Sequence, residues 1–515
     1  MLAPVKMRIN TASLSRRYSH ISLEFAALKR SSPLLRIRVN QNDRIDPLVW
    51  KVASVAVIGS FLSQLDTTVV NVSLSTLAVD LHSGLSAVQW VTSGYLLALA
   101  LMLPMSGWLV ERIGSKSLYI WCFSLFTFSS TLCGLAWSVK SLIAFRVLQG
   151  MSGGVMAPLA QMMMARVAGR NLARIIGYAA VPVMIGPILG PIIAGAILQH
   201  SSWRWLFLIN LPIGIVAVVM AMLFLPDDRE EARSKKLDLL SFILLSPGLV
   251  LFLYGSDHSR EPNGLAAIVI SVILLFCFLR VAARKGDDAL VDLRLFKKRT
   301  FAASALTQFF SNGISFAGQM LIPIYLILAC GKSPSGTGWL LTPLGIGMIC
   351  SYPLMGVLTK RFGIRMVSAG GACLAFAGTL PFLYLTKHGF NLTVLICTLF
   401  VRGVGLSAVG IPSISAAYAS IQKRHLPMAT TSLNIVQRLG GPILTTLCAT
   451  FLAWRMESTP FQTSKVQPFF FTFILLSTLH GFLIVAALRL PLVLDNLNEH
   501  TPEDAPAFVL EAISD

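Results

Sequence analysis

Charge is scarce in this sequence: Asp, Glu, Lys and Arg make up 13% of it, about half of what a soluble domain carries. No strand-length alternation of apolar and polar residues recurs, which excludes a β-barrel. No CxxC pair is present, and Cys122, Cys133, Cys277, Cys330, Cys350, Cys373, Cys397 and Cys448 all fall within or at the ends of apolar runs. They read as small membrane hydrophobes, not as disulfide partners or metal ligands. The motifs GxSxG, HExxH and GxxxxGK are missing, as is any clustered His/Cys set or any polar stretch long enough to be a soluble catalytic domain. Enzymatic classes and ATP-driven transport by this chain alone are therefore not expected, and neither is a bound cofactor or metal.

What fills the chain is hydrocarbon: 55% of the residues are hydrophobic. Apolar runs of about 18 or more residues recur with short polar breaks, the pattern of an all-α polytopic membrane protein. Breaks at charges, Gly and Pro predict spans near 52–73, 89–109, 117–137, 141–165, 173–198, 205–225, 238–255 and 264–283. Six more are predicted near 302–329, 335–358, 366–386, 391–417, 428–454 and 468–490. The net charge of +19 is spread between these runs and forms no single patch, so membrane topology explains it better than nucleic acid does.

Every second loop is basic. One series carries Arg112 and Lys116; Arg166, Arg170 and Arg174; Arg229, Arg233, Lys235 and Lys236; Arg284, Lys285, Lys297, Lys298 and Arg299; Lys360, Arg361 and Arg365; and Lys423 and Arg424. The other carries only Lys140, Arg204, Arg260, Lys332, Lys387, Arg455 and Lys465. Cytoplasmic loops collect Lys and Arg, so both termini are expected inside an inner or plasma membrane and the number of spans even. The segment GWLVERIGSK at 107–116 recurs as GVLTKRFGIR at 356–365, each after the second span of a six-span set. The expected organisation is a basic cytoplasmic tail at 1–50, a six-helix bundle at 51–226, an inserted helix pair with a cytoplasmic linker at 227–300, a second six-helix bundle at 301–490 and an acidic cytoplasmic tail at 491–515. An organelle transit peptide is the other reading of the first fifty residues; no cleavable secretory signal is expected.

An ionisable side chain at the centre of a span costs roughly 2.5–3.5 kcal/mol or more, so each one is a functional candidate. Asp66 is the acid that sits well inside a span. On a helical wheel it shares a sector of about 160° with Ser60, Ser63, Gln64, Thr67 and Asn71, with the aspartate at the sector's edge. Ile58, Phe61, Leu62, Leu65, Val69 and Val72 fill the opposite side. The helix is thus expected to turn one face to a wet cavity and the other to lipid or packing partners, and Asp66 either carries protons or caps and pairs structurally. Arg146 and Arg402 are the clearest cations in the spans, followed by Arg438; arginine holds its proton, so it binds anions or balances a carboxylate. His480 either titrates or is simply hydrogen-bonded. In the fifth span Gly186 and Gly190, i and i+4 in GPILGP with Pro187 and Pro191, predict a smooth packing stripe on a bent helix.

These segments resemble signatures of the major facilitator superfamily, in its fourteen-helix drug-proton antiporter branch of the bacterial multidrug efflux type. GWLVERIGSK is similar to the loop motif between helices two and three, RVLQGMSGG at 146–154 to the fourth-helix motif, and GPILGP to the fifth-helix antiporter motif. LDTTVVNVSL at 65–74 and WRWLFLINLPIG at 203–214 resemble segments of the same branch. The resemblance covers about residues 50–490 and implies a major facilitator fold of two six-helix bundles plus two inserted helices. By the resemblance Asp66 matches the acidic position of the first-helix motif, Arg146 the arginine of the fourth-helix motif, and Gly107, Arg112, Gly114 and Lys116 the loop motif. Proton coupling is expected at Asp66, a transport cavity at Gln64, Asn71, Arg146 and Gln149, and a gating loop at Gly107, Glu111, Arg112, Gly114 and Lys116. Glu111 stands where the family usually has aspartate, Ser115 where a basic residue is common, and Pro191 in place of a second glycine.

The function this implies is proton-motive export of amphipathic, aromatic or cationic compounds by alternating access. Export of one metabolite, such as a siderophore, antibiotic or lipid precursor, is the alternative, and a non-transporting sensor is a further one that the lack of an output domain disfavours. Expected partners are the small-molecule cargo, membrane lipid and, in a double-membrane envelope, a periplasmic adaptor and an outer-membrane channel. Trp90, Tyr95, Phe309, Phe310, Phe316 and Tyr325 are candidates for an aromatic cavity lining.

Overall fold

A backbone in hydrocarbon must satisfy its own hydrogen bonds, and an apolar run does so by coiling into a helix. In the computed structural model, which describes residues 45–227, 237–258, 261–286, 289–458 and 466–492, the helices in chain order are α1 Pro47–Asp80, α2 Leu85–Met102, α3 Ser106–Ile113, α4 Ser115–Gly134, α5 Val139–Ala168 and α6 Leu172–His200. Next come α7 Trp205–Leu208, α8 Asn210–Phe224, α9 Leu239–Asp257, α10 Pro262–Lys285, α11 Arg299–Ile324 and α12 Pro334–Leu340. The chain continues with α13 Thr342–Phe362, α14 Ile364–Ala377, α15 Pro381–His388, α16 Leu392–Ala419, α17 Leu426–Ser458 and α18 Gln467–Leu488. Several spans are broken once: a short 3-10 turn at Leu103–Met105 joins α2 to α3, and a π turn at Tyr325–Ala329 extends α11. Joined across such breaks, thirteen described helices are long and apolar enough to cross a membrane, and α6 adds the apolar stretch Leu172–Gly186. No strand occurs among the described residues.

Local chemistry sets the helix ends. Asp46 caps α1, its carboxylate accepting from the Leu48 amide at 2.8 Å, with Pro47 at the first helical position. Ser138 and Ser141 form a reciprocal cap on α5. The repeated segment is visible as geometry: Gly114 at φ +80° ends α3 and starts α4, and Gly363 at φ +83° ends α13 and starts α14. Both positions need the left-handed region that glycine enters without strain.

Helices of 45–227 pack mainly with one another, α1 on α5, α6 and α8, α2 on α5, and α4 on α5 and α8. Helices of 299–490 do the same, α11 on α16, α17 and α18, α13 on α16, and α14 on α16 and α18. The α9 and α10 hairpin packs on itself and, through α9, on α2 and α17. Its base is tied by Asp238, which caps α9 by accepting from the Ser241 amide at 3.1 Å and pairs with Lys285 Nζ at 2.5 Å. Burial pushes the Asp238 carboxyl up, but donation from Lys285 and Ser241 outweighs it and holds the group below its ordinary value. Leu265, Val269, Ile273 and Phe276 of α10 stay exposed, as a lipid-facing surface requires. The basic linker residues Arg229, Arg233, Lys235 and Lys236 and nearly all of both tails lie outside the described residues.

Candidate functional site

Asp66 is 1% exposed, and the polar face of α1 divides around it. Gln64 and Asn71 are exposed, Asn71 accepting from the Thr92 hydroxyl at 3.1 Å, whereas Asp66 turns into the first helix set. It therefore does not border an open cavity in this structure, as the wheel suggested; a position at the edge of a polar sector can fall on either side of the packing surface. The opposite face contacts protein, with Leu62, Leu65 and Val69 buried.

Around the carboxylate α1, α5 and α8 build an enclosed polar node. Arg146 Nη1 donates to Asp66 Oδ2 at 2.6 Å, while Gln149 Nε2 and Asn210 Nδ2 each donate to Oδ1 at 3.1 Å. Arg146 also donates to Gln149 Oε1 at 2.8 Å and, through Nε, to the Val91 carbonyl at 3.2 Å. Its guanidinium lies 4.3 Å from the centroid of Tyr95, and the Tyr95 hydroxyl meets Ser63 Oγ at 3.0 Å. Arg146 and Gln149, expected to line the cavity, are thus buried members of this node. An ion pair with no water survives only when hydrogen bonds supply what hydration would have given, and here three residues donate to one carboxylate.

The second helix set holds an image of this node, with no acid beside its arginine among the described residues. Arg402 in α16 is buried, donating Nη1 to Thr379 Oγ1 at 2.9 Å and Nη2 to the Ile314 carbonyl at 3.0 Å. His480 Nδ1 meets the Leu476 carbonyl at 2.8 Å and Nε2 meets Thr379 Oγ1 at 3.2 Å. Both ring nitrogens thus have partners, so His480 reads as hydrogen-bonded. The repeat explains the likeness: Ser130 and Thr379 stand at matching places after Gly114 and Gly363, Ser130 bonding Asn210 at 3.0 Å as Thr379 bonds His480. Gly318 leaves the room Arg402 occupies; a Cβ there would overlap the guanidinium.

The helix sets meet beside the basic loops. Ser106 Oγ and Thr431 Oγ1 are 2.8 Å apart, and Gln161 Oε1 in α5 accepts from the Tyr418 hydroxyl at 2.8 Å and from Asn434 Nδ2 at 3.0 Å. The repeat supplies both close approaches: a Cβ on Gly107 would come within 2.9 Å of the Thr431 hydroxyl, and one on its counterpart Gly356 would strike the Arg174 backbone. Glu111 and Lys116 are half-buried and Arg112 is exposed near this joint. Gly186 and Gly190 are buried; their stripe lies on α1, Gly186 against Gln64 and Gly190 against Thr68, and α6 is one continuous helix. The side chains of Pro187 and Pro191 lie outside the described set. Of the aromatic candidates, Trp90 and Phe316 are exposed while Tyr95 and Tyr325 are buried; Phe309 and Phe310 pack partly buried on the second core.

A model described as the Major Facilitator Superfamily matches residues 56–445. The chain belongs to the Major Facilitator Superfamily. As a member it is a multi-pass membrane transporter, not an enzyme. It is 32% identical over 423 residues to a "Multidrug resistance protein B homolog" of Mycobacterium tuberculosis, covering 81% of this chain and 78% of that one. It is 33% identical over 326 residues to a "Putative multidrug resistance protein MdtD" of Salmonella typhi, covering 62% and 68%. Among solved structures, the proton:xylose symporter XylE superposes with a TM-score of 0.59 at 13% identity, covering 85% of this chain and 94% of that one, a likeness of fold. Asn210, Tyr95 and Ser130 complete the superfamily member's buried node; Tyr95 was expected as a cavity lining, and Asn210 and Ser130 are not among the residues singled out from sequence. Asn210 was legible in principle, as a lone amide in the apolar run WRWLFLINLPIG.

Proposed function

We propose that this transporter exports amphipathic compounds in exchange for protons, with Asp66 as the coupling carboxylate. The observation carrying this reading is that Asp66 is the one acid buried within a span among the described residues and that its charge is balanced by Arg146. Protonation of Asp66 would remove the charge that holds Arg146, Gln149 and Asn210 together, so proton binding and the packing of α1, α5 and α8 become one event. The drug-resistance names of the relatives support the cargo class. Positive-inside bias puts the basic loops and both termini in the cytoplasm; the joints beside those loops then describe a state closed to the inside. The two helix sets act as rocking bundles, with 227–300 as the inserted pair and linker. In a double-membrane envelope, cargo would pass to an adaptor and an outer channel.

The driving force suffices. At ~2.3 kcal/mol per charge per 100 mV, one proton entering down about 150 mV supplies roughly 3.5 kcal/mol, enough for a cargo gradient of a few hundredfold. In proteoliposomes, Asp66→Asn is expected to abolish uphill, proton-driven efflux while leaving downhill counterflow. A variant that still builds a gradient collapsing with protonophore would make Asp66 structural and move attention to His480. A sensor would bind cargo without any counterflow.

A further inference from the structure

Arginines inside the spans differ in what faces them. Arg146 has its carboxylate, and Arg402 is sealed among a hydroxyl and a carbonyl. Arg438 in α17 is half-buried, and among the described residues it makes no hydrogen bond or ion pair. Its stem lines a crevice between α2, α9 and α17 whose other walls are Ala100, Leu103, Leu249, Leu253, Ile435 and Leu439, all apolar.

Placement on α17 gives Arg438 access to the path between the helix sets. Asn434 reaches Gln161 of α5, and Gly441 lies against Phe316 of α11; Arg438 falls on the same helical stripe between them. That stripe faces the first helix set at one end and an exposed aromatic at the other. Asp66 cannot serve as counter-charge, because its oxygens are occupied by Arg146, Gln149 and Asn210. An unpaired guanidinium beside an apolar wall attracts an anion more strongly than one in bulk water. The planar fork suits a carboxylate, sulfonate or phosphate.

We propose that Arg438 is a specificity-determining residue of the transport path, binding an anionic group of an amphipathic cargo. The proposal rests on the export reading and gives its cargo a negative charge.

The test uses the full chain in nanodiscs of zwitterionic phosphatidylcholine, with a dansyl-labelled long-chain carboxylic acid and its methyl ester as fluorescent probes. The wild-type protein is expected to bind the acid at least about tenfold more tightly than the ester, Arg438→Gln to erase that preference, and Arg438→Lys to keep part of it. Equal binding of acid and ester by the wild-type protein overturns the proposal, and so does a preference that survives Arg438→Gln. The wild-type comparison and Arg438→Lys decide the matter even where Arg438→Gln fails to fold. Doping the discs with phosphatidylglycerol separates the sources: displacement of the probe assigns the site to a lipid headgroup, and lack of displacement assigns it to a free solute. Binding needs no proton gradient, so the two readings fail separately. An acid that binds through Arg438 yet is never exported sinks export and keeps the site, whereas amphipaths exported without regard to Arg438 sink the site and keep export.

Discussion

Arg146 and Asp66 form the most demanding contact in the molecule, because neither side chain has any exposure to replace its partner with water. Removing one member of a buried pair leaves the other charged and unsolvated, at a cost of about 3–5 kcal/mol. Arg146→Leu is therefore expected to lower the thermal unfolding midpoint sharply, and Arg146→Leu combined with Asp66→Asn to recover much of the loss. Measured in detergent by a thermal-shift assay, two additive losses would show that the pair does not act as a unit. Arg402 makes a useful contrast. With no carboxylate beside it among the described residues, its charge is held by Thr379 and the Ile314 carbonyl, so Asp66 has no counterpart whose loss could be compared.

At the scale of the element, the α9 and α10 hairpin depends on a tie at its base. Asp238 is 8% exposed, caps α9 and pairs with Lys285 at the end of α10. Losing an N-cap costs about 1 kcal/mol, and the ion pair adds little because the Lys285 side chain is 36% exposed. Asp238→Ala is expected to cost about 1–2 kcal/mol of local stability, read as faster hydrogen exchange in α9 and α10 without loss of the remaining helices. The pH dependence has a fixed sign. The folded carboxyl sits below its unfolded value of about 3.9, so its contribution is fully present above that value and disappears as pH falls through the lower, folded one. Unchanged exchange in Asp238→Ala would mean that apolar packing of Leu245, Leu249 and Phe278 alone holds the hairpin.

For the whole molecule, the contacts beside the basic loops make a testable gate. Ser106 and Thr431 bring their hydroxyls within 2.8 Å across the joint between helix sets. With the eight native cysteines replaced, the pair Ser106→Cys and Thr431→Cys is expected to cross-link on oxidation and stop transport, with recovery on reduction. Undiminished transport in the cross-linked protein would show that this end of the molecule need not open. The same contacts explain why Gly107 and Gly356 occur at matching points of the repeat: each lets its own helix touch the other set, α3 on α17 and α13 on α6.

Hydrophobic runs and loop charge suffice to place the spans, because in hydrocarbon a helix is the solution open to a lone apolar segment. The predicted span at 173–198 lies inside α6, the one at 391–417 nearly coincides with α16, and the GWLVERIGSK repeat coincides with paired glycine turns at Gly114 and Gly363. Asp66 and Arg146 were also legible, since charge in a span is costly wherever it occurs. What the sequence could not decide was which way each polar side chain turns. Asp66 and Gln64 share a sector of the wheel, yet α5 and α8 enclose one and leave the other exposed. Asn210 joins the node from a segment far along the chain, and among the described residues Arg402 has no acid beside it and Arg438 has no ion-pair partner. Partners of this kind come from separate helices, so only their packing in three dimensions determines whether a charge is balanced within the protein or left for a ligand.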